Sequence, residues 1–244
     1  MFKLVVITDA HANLPALRAA LRAIRAEGYD ALVHTGDAIA IGPQPAECLE
    51  LLLNTPRARC IVGNHERYFI DGLPDPRPRW MSAGEFEHQR WTHAQLDPGL
   101  RPVLARWPAA IEETFEGVKV ALTHYGFAPG GRDFLPVIQR PTAEDLDHVF
   151  AAHDAALIFY GHDHTPADVK GRARYVNPGA LGCGAQAVAR YCVVTLERGR
   201  YTVEPRAVPY DDRTLWEAFE RRRVPERHFI YRTFFGRQNA KMNG

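Results

Sequence analysis

The chain has little cysteine, no long apolar run and almost no net charge, and each shortage removes a class of protein. The four cysteines (Cys48, Cys60, Cys183, Cys192) are widely spaced and form no Cys-x-x-Cys pair. That speaks against a disulfide scaffold and a thiolate zinc site. No apolar stretch approaches a membrane span, and the N-terminus reads as a strand rather than a charged-then-apolar leader. The expectation is a reduced, soluble, cytoplasmic protein with no membrane partner. Thirty Lys+Arg against 29 Asp+Glu leave +1, so no overall field advertises nucleic acid. At 46% apolar and 24% charged residues, disorder and collagen are excluded. Histidine is what stands out: there are 11, several beside Asp, Asn or Gly at the ends of expected strands.

A length of 244 residues fits one large domain or two small ones. Lys3–Thr8 reads as a buried strand, followed by a helix with Leu14, Leu17, Leu21 and Ile24 on one stripe and Gly28 as its stop. A strand at Ala31–Thr35, a helix near Pro45–Leu53 and a strand at Arg59–Val62 repeat the alternation of an α/β fold. Asp71–Trp80 is rich in Pro, Gly and Arg and reads as irregular. Ser82-x-x-Glu85 suggests a capping box for a helix to about Gln95, and Asp97-Pro98 opens a second. Ile111–Phe115 and Val118–Thr123 form an expected hairpin; a helix near Thr142–Ala152 and a strand at Ala156–Tyr160 follow. Strands dominate to about Tyr210, with Arg198-Gly199 as a turn, and Thr214–Arg223 reads as a helix.

Five polar clusters sit just after expected strands: Asp9/His11, Asp37, Asn64/His65, His124 and His162/His164. Any one has a bland reading, a turn, a helix cap or a satisfied histidine. Their joint recurrence at successive strand ends does not. Carboxylate, amide oxygen and imidazole suit Mn, Fe, Zn or Ni, and the set suffices for two ions. Two such ions can hold a bridging hydroxide and clamp a phosphoryl group during in-line displacement. His34, His88, His93, His148, His153 and His228 read as ordinary surface or core histidines.

In order, Asp9-Ala10-His11, Gly36-Asp37, Gly63-Asn64-His65-Glu66, His124 and Gly161-His162-Asp163-His164 resemble the motifs of the calcineurin-like metallophosphoesterase family. The likeness runs from Lys3 to about Gly182 and implies a four-layer α/β (α+β) fold, two packed mixed β-sheets flanked by helices. A metallophosphoesterase domain over 1–210, a helical insertion at about 71–110, and a C-terminal helix and basic tail over 211–244 are expected. The resemblance implies two divalent transition-metal ions per chain. Asp9, His11 and His164 hold the first, Asn64, His124 and His162 the second, and Asp37 bridges them. It also implies a catalytic proton donor in His65 and substrate contacts at Asn13 and Asn64.

Two departures narrow the class. Where protein phosphatases of this family carry an Asp that orients the catalytic His and a phosphate-binding Arg, this chain has Ala40 and Ile41. Gly42-Pro43 and Glu47-Cys48-Leu49 resemble instead a prokaryotic branch of small phosphodiesterases and diadenosine-tetraphosphatase-like enzymes, in which Ala12 stands where Gly is usual. Lacking that Arg, the site suits a diester monoanion better than a monoester dianion. The expectation is a phosphodiesterase on a small phosphate ester or nucleotide, with Mn as the activator in vitro. A phosphomonoesterase or nucleotide pyrophosphohydrolase, a nuclease and a non-catalytic scaffold are the alternatives. Asn177-Pro178-Gly179-Ala180 resembles a family loop near the metals or is an ordinary turn. Trp80, Phe86 and Trp91 read as packing residues. The eight Lys/Arg from Arg213 onward, against three Glu, read as a solvated helix and tail.

Overall fold

Alternate residues of the first strand serve two different cores. Val5 and Ile7 pack beneath helices, while Leu4 and Val6 face a second sheet. A continuous Leu/Val/Ile run dictates this, because a strand buried on both faces has no polar side to alternate. The computed structural model describes residues 1–131 and 133–236. Arg237 and Lys241 of the expected basic tail lie outside the described residues.

The elements run β1 (Phe2–Ile7), α1 (Leu14–Glu27), β2 (Ala31–His34), α2 (Pro45–Leu53), β3 (Ala58–Cys60) and α3 (Asn64–Asp71). Next come α4 (Ala83–Ala94), a 3₁₀ turn at Pro98–Leu100, α5 (Arg101–Leu104), β4 (Ala110–Phe115), β5 (Val118–Thr123) and α6 (Ala143–Val149). The rest is β6 (Leu157–Phe159), β7 (Ala167–Lys170), β8 (Arg174–Asn177), β9 (Val188–Glu197), β10 (Arg200–Pro209), α7 (Arg213–Arg221) and α8 (Arg227–Phe235). Among the described residues no helix is long and apolar enough to cross a membrane.

Two mixed five-stranded sheets result, ordered β10-β9-β1-β2-β3 and β4-β5-β6-β8-β7. β1, β2 and β3 are parallel, as are β5, β6 and β8. The sheets bury Leu4, Val33, Val120, Leu157 and Val194 between them. Helices α1 and α2 cover the outer face of one, and α6 that of the other. This is the expected four-layer α/β architecture. Because parallel strands end at the same edge, the loops after β1, β2, β3, β5 and β6 gather at one place.

The motif Gly63-Asn64-His65-Glu66 is not only a loop, since Asn64 begins α3. The C-terminal segment also differs from the solvated helix and tail expected. Helices α7 and α8 bury Leu215, Phe219, Ile230, Tyr231 and Phe235 against Ile41, Ala180 and Cys183. Much of their basic charge is paired on the surface, Arg222 with Glu47 and Arg227 with Glu220. The amphipathic face outweighed the charge count.

Candidate metal centre and the cavity above it

The loops that meet at the sheet edge are strained and tightly tied. Asp9, His11, Asp37, His162 and His164 all have φ between 43° and 69°. In that region each non-glycine residue costs of order 1–3 kcal/mol and persists only where its surroundings hold it. Here they do: Asp9 N–H donates to Gly36 O (3.0 Å), His11 N–H to Asp37 O (3.0 Å) and Gly182 N–H to Asp9 O (2.9 Å). Ala180 N–H donates to His164 O at 3.1 Å, so the Asn177–Ala180 loop braces the ligand loops. Gly63 and Gly161 allow the close approach. A Cβ at Gly63 would fall 2.2 Å from Asp37 Oδ1, and one at Gly161 2.5 Å from Asp9 Oδ2.

Glu66 is the buried keystone of this arrangement and was not given a role in the sequence reading. Its carboxylate accepts from the backbone N–H groups of Asp37 (2.8 Å), Ala38 (2.8 Å), Ile39 (3.3 Å) and Gly63 (2.9 Å). Burial and the neighbouring Asp37 charge push it up to about 7 despite those donors. Its place in the motif was the available signal; its partners, nearly thirty residues away, were not.

The imidazoles are oriented from behind. His124 Nδ1–H donates to Thr35 O at 2.9 Å, which turns Nε2 inward. That Nε2 lies 3.1 Å from Asn64 Oδ1 and 3.2 Å from Asp37 Oδ2. His11 Nδ1 faces Ile39 O at 3.4 Å, while its Nε2 lies 2.7 Å from His164 Nε2 and 3.5 Å from Asp9 Oδ1. His164 Nε2 is 3.6 Å from the same Asp9 oxygen. His162 joins Asp37 and His124 in a triad of mutually close donor atoms, and Asp37 also belongs to a triad with His11 and His65. Sequence-distant Asp9, His11, Asp37, Asn64, His124, His162 and His164 thus occupy one site.

The donor chemistry fits cations. Asp9 and Asp37 are fully buried, and among the described residues neither pairs with a Lys or Arg. Buried anions of this kind need a positive partner. Burial alone would raise both carboxyls, but the surrounding imidazoles hold them below the usual carboxylate range. Burial likewise pulls His124 down, and Asp37 and Asp9 reverse it to about 9. Burial takes His162 to about 4 and His164 to about 3, which keeps them neutral donors. Cys183 stands close to His11 and His164, a thiol that the spacing rule had set aside.

His65 sits at the rim with its Nε2 3.9 Å from Asp37 Oδ2. Its other nitrogen, Nδ1, accepts from Gln89 Nε2 at 2.7 Å. Ala40 had removed the acid that orients this histidine in related phosphatases; α4 supplies an amide instead. Burial lowers His65 to about 4. His88, read as an ordinary histidine, ties three segments together: its Nε2 accepts from Ile41 N–H (2.8 Å) and its Nδ1 faces Pro225 O (3.3 Å).

Asn13 is a correction. Expected near substrate, it is fully buried. Its Oδ1 caps α1 by accepting from Ala16 N–H (3.1 Å), and its Nδ2 donates to Gly182 O (2.8 Å) and Tyr210 Oη (2.9 Å). Both polar atoms of the amide are committed, Oδ1 to starting the helix and Nδ2 to tying it to the loop at Gly182 and to Tyr210.

Above the site lies a cavity of about 390 Å³. Asp37, Asn64, His65, His162 and His164 form its floor, α4 one flank and α8 the other. The aromatics that reach it are Phe229 and Phe234, which the sequence reading had left in the tail. Trp80 is 66% exposed elsewhere, and Trp91 packs against the C-terminal helices.

The family model described as the calcineurin-like phosphoesterase superfamily domain matches residues 2–199. The chain belongs to the calcineurin-like phosphoesterase superfamily. It is 28% identical over 242 residues to the uncharacterized protein MJ0912 of Methanocaldococcus jannaschii, covering 91% of this chain and 94% of that one. Among solved structures it resembles the hypothetical protein PH1004 of Pyrococcus horikoshii, with a TM-score of 0.78 at 20% identity over 98% of this chain and 100% of that one. A metallophosphoesterase from Sphaerobacter thermophilus gives 0.70 at 25% identity over 94% and 98%. The loops that carry the candidate donors lie within the matched span; α7 and α8 follow it.

Proposed function

We propose that this calcineurin-like phosphoesterase is a two-metal hydrolase that prefers phosphodiesters. The observation that carries the reading is the convergence of seven buried or half-buried O/N donors, with ring nitrogens of His11, His124 and His164 turned inward. Asp9, His11 and His164 would hold one ion, Asn64, His124 and His162 the other, and Asp37 both. When bound, such a pair neutralises charge at the phosphoryl group and makes a water acidic enough to attack near neutral pH.

His65 then serves the leaving oxygen. With Nδ1 accepting from Gln89, the ring proton of the neutral imidazole is on Nε2, the nitrogen that faces the floor. A departing alkoxide needs that proton most when its alcohol is weakly acidic. Asn64, on the cavity floor, would contact substrate as well as metal.

Diester preference rests on charge. No Lys or Arg lines the cavity among the described residues, and Ile41, in place of the phosphatase arginine, packs into the C-terminal helices. A monoanionic diester needs less compensation than a monoester dianion. Mn is the activator proposed in vitro, with Fe, Zn and Ni as alternatives. Four free cysteines, all buried, accord with a reducing cytoplasm.

The test is elemental analysis of Mn- or Fe-reconstituted protein, followed by assay on matched aryl mono- and diesters. About two ions per chain and a diester rate at least equal to the monoester rate are expected. No bound metal would remove the two-metal reading. A monoester preference of about tenfold or more would replace the diesterase by a monoesterase on the same site.

A further inference from the structure

The cavity walls are chemically one-sided. Ile41, Phe229, Ile230 and Phe234 make an apolar flank that begins at the floor itself, since the Phe234 and His164 rings lie 5.8 Å apart. Phe229 is large, aromatic and still 51% exposed. The carboxylates of Glu85, on α4, and Glu226, at the start of α8, also line the cavity. Glu226 rests against Gly84, where a Cβ would come 2.5 Å from its Cδ, so the bare backbone of α4 makes room for it. Neither carboxylate forms an ion pair among the described residues.

Resting on the phosphoesterase reading, we propose that the substrate has a single phosphorus esterified to a compact, ring-bearing alcohol whose far edge carries N–H donors or a positive charge. Three arguments converge. A planar ring finds stacking and edge contacts on Phe229 and Phe234. Glu85 and Glu226 accept charge-assisted hydrogen bonds from such an edge and repel an anionic one. At about 390 Å³ the cavity is near the lower end of the range for ligand sites, room for one ring system and its phosphate. A polyphosphate chain would place additional negative charge beside two acids, with no Lys or Arg among the described lining. Dinucleoside polyphosphates, which the branch resemblance admits, therefore fall outside this proposal.

Calorimetric titration of the metal-reconstituted protein with four non-hydrolysable benzylphosphonates tests this without any turnover. They carry para-aminomethyl, para-carboxamide, para-methyl or para-carboxylate groups, and methylphosphonate is the ringless reference. The aminomethyl or carboxamide ligand should bind about tenfold or more tighter than the carboxylate, a single charge-assisted contact's worth. Which of the two leads separates positive charge from neutral N–H donation. In the Glu85→Gln/Glu226→Gln variant that discrimination should collapse toward parity. Phe229→Ala should weaken every ring-bearing ligand and leave methylphosphonate unchanged. Equal or tighter carboxylate binding, undiminished discrimination in the double variant, or no gain of any ring over methylphosphonate would each overturn the proposal. Loss of the phosphoesterase reading is seen separately, as absent hydrolysis of bis(p-nitrophenyl) phosphate by the same preparation.

Discussion

Beneath the cavity the side chains are polar, buried and fixed by hydrogen bonds to neighbouring loops; above it the flank from Ile41 to α8 is apolar and fixed by packing between α7, α8 and Ile41. The floor pays in backbone strain, with five donor residues at positive φ, and is held by hydrogen bonds between loops and by the Thr35 and Ile39 carbonyls behind His124 and His11. The roof carries no such strain at Phe229 and Phe234 and leaves one aromatic half in solvent. The contrast teaches a division of labour: hydrogen-bonded loops can hold reacting groups to fractions of an ångström, while an apolar flank need only match a shape.

Substitutions can break that contrast. The largest effect is expected from Asp37→Asn, because one carboxylate serves both triads. Activity should fall by about 10³-fold or more and metal content at both sites should drop, as read by elemental analysis. His124→Ala should empty mainly the second site.

Glu66→Ala tests whether the floor depends on its keystone. Removing one acceptor strands four buried N–H groups, and a loss of about 3–5 kcal/mol in denaturant unfolding is expected. A loss below about 1 kcal/mol would show that the loops hold themselves.

His65→Ala should spare metal content while lowering turnover by about 10²–10⁴-fold, most for poor leaving groups. Gln89→Leu, which removes only the amide behind it, should lower turnover by about tenfold on the same substrates and leave KM and metals near normal. Equal turnover in Gln89→Leu would mean that the histidine needs no partner at Nδ1.

The smallest effect sharpens the roof. Phe229 is half exposed, so Phe229→Ala should change unfolding stability by no more than about 0.5 kcal/mol. A larger loss would make this ring a packing residue rather than a wall.

The floor was legible because metal donors come in short local motifs, and a motif survives without knowledge of the fold. Asn13 shows the limit: its type and place beside Asp9 and His11 fit a substrate contact, yet the amide spends itself on capping α1 and on Gly182 and Tyr210. The roof was hidden by composition. Arg227–Phe235 looks basic and aromatic, and its signal lay in the spacing of Ile230, Tyr231 and Phe235 on one helix face. Gln89 had no sequence signal at all, since an amide on the middle of a helix reads as surface.

Strand periodicity, histidine placement and the order of the motifs thus determined the layered fold, the superfamily and the donor set, because each depends on residues near one another in the chain. Which amide faces His65, which carboxylate ties the loops, and which aromatics wall the cavity were decided only when sheet edges, α4 and α8 came together. Those contacts join residues from 24 to 70 positions apart, and no local pattern fixes a contact whose partner is chosen by packing.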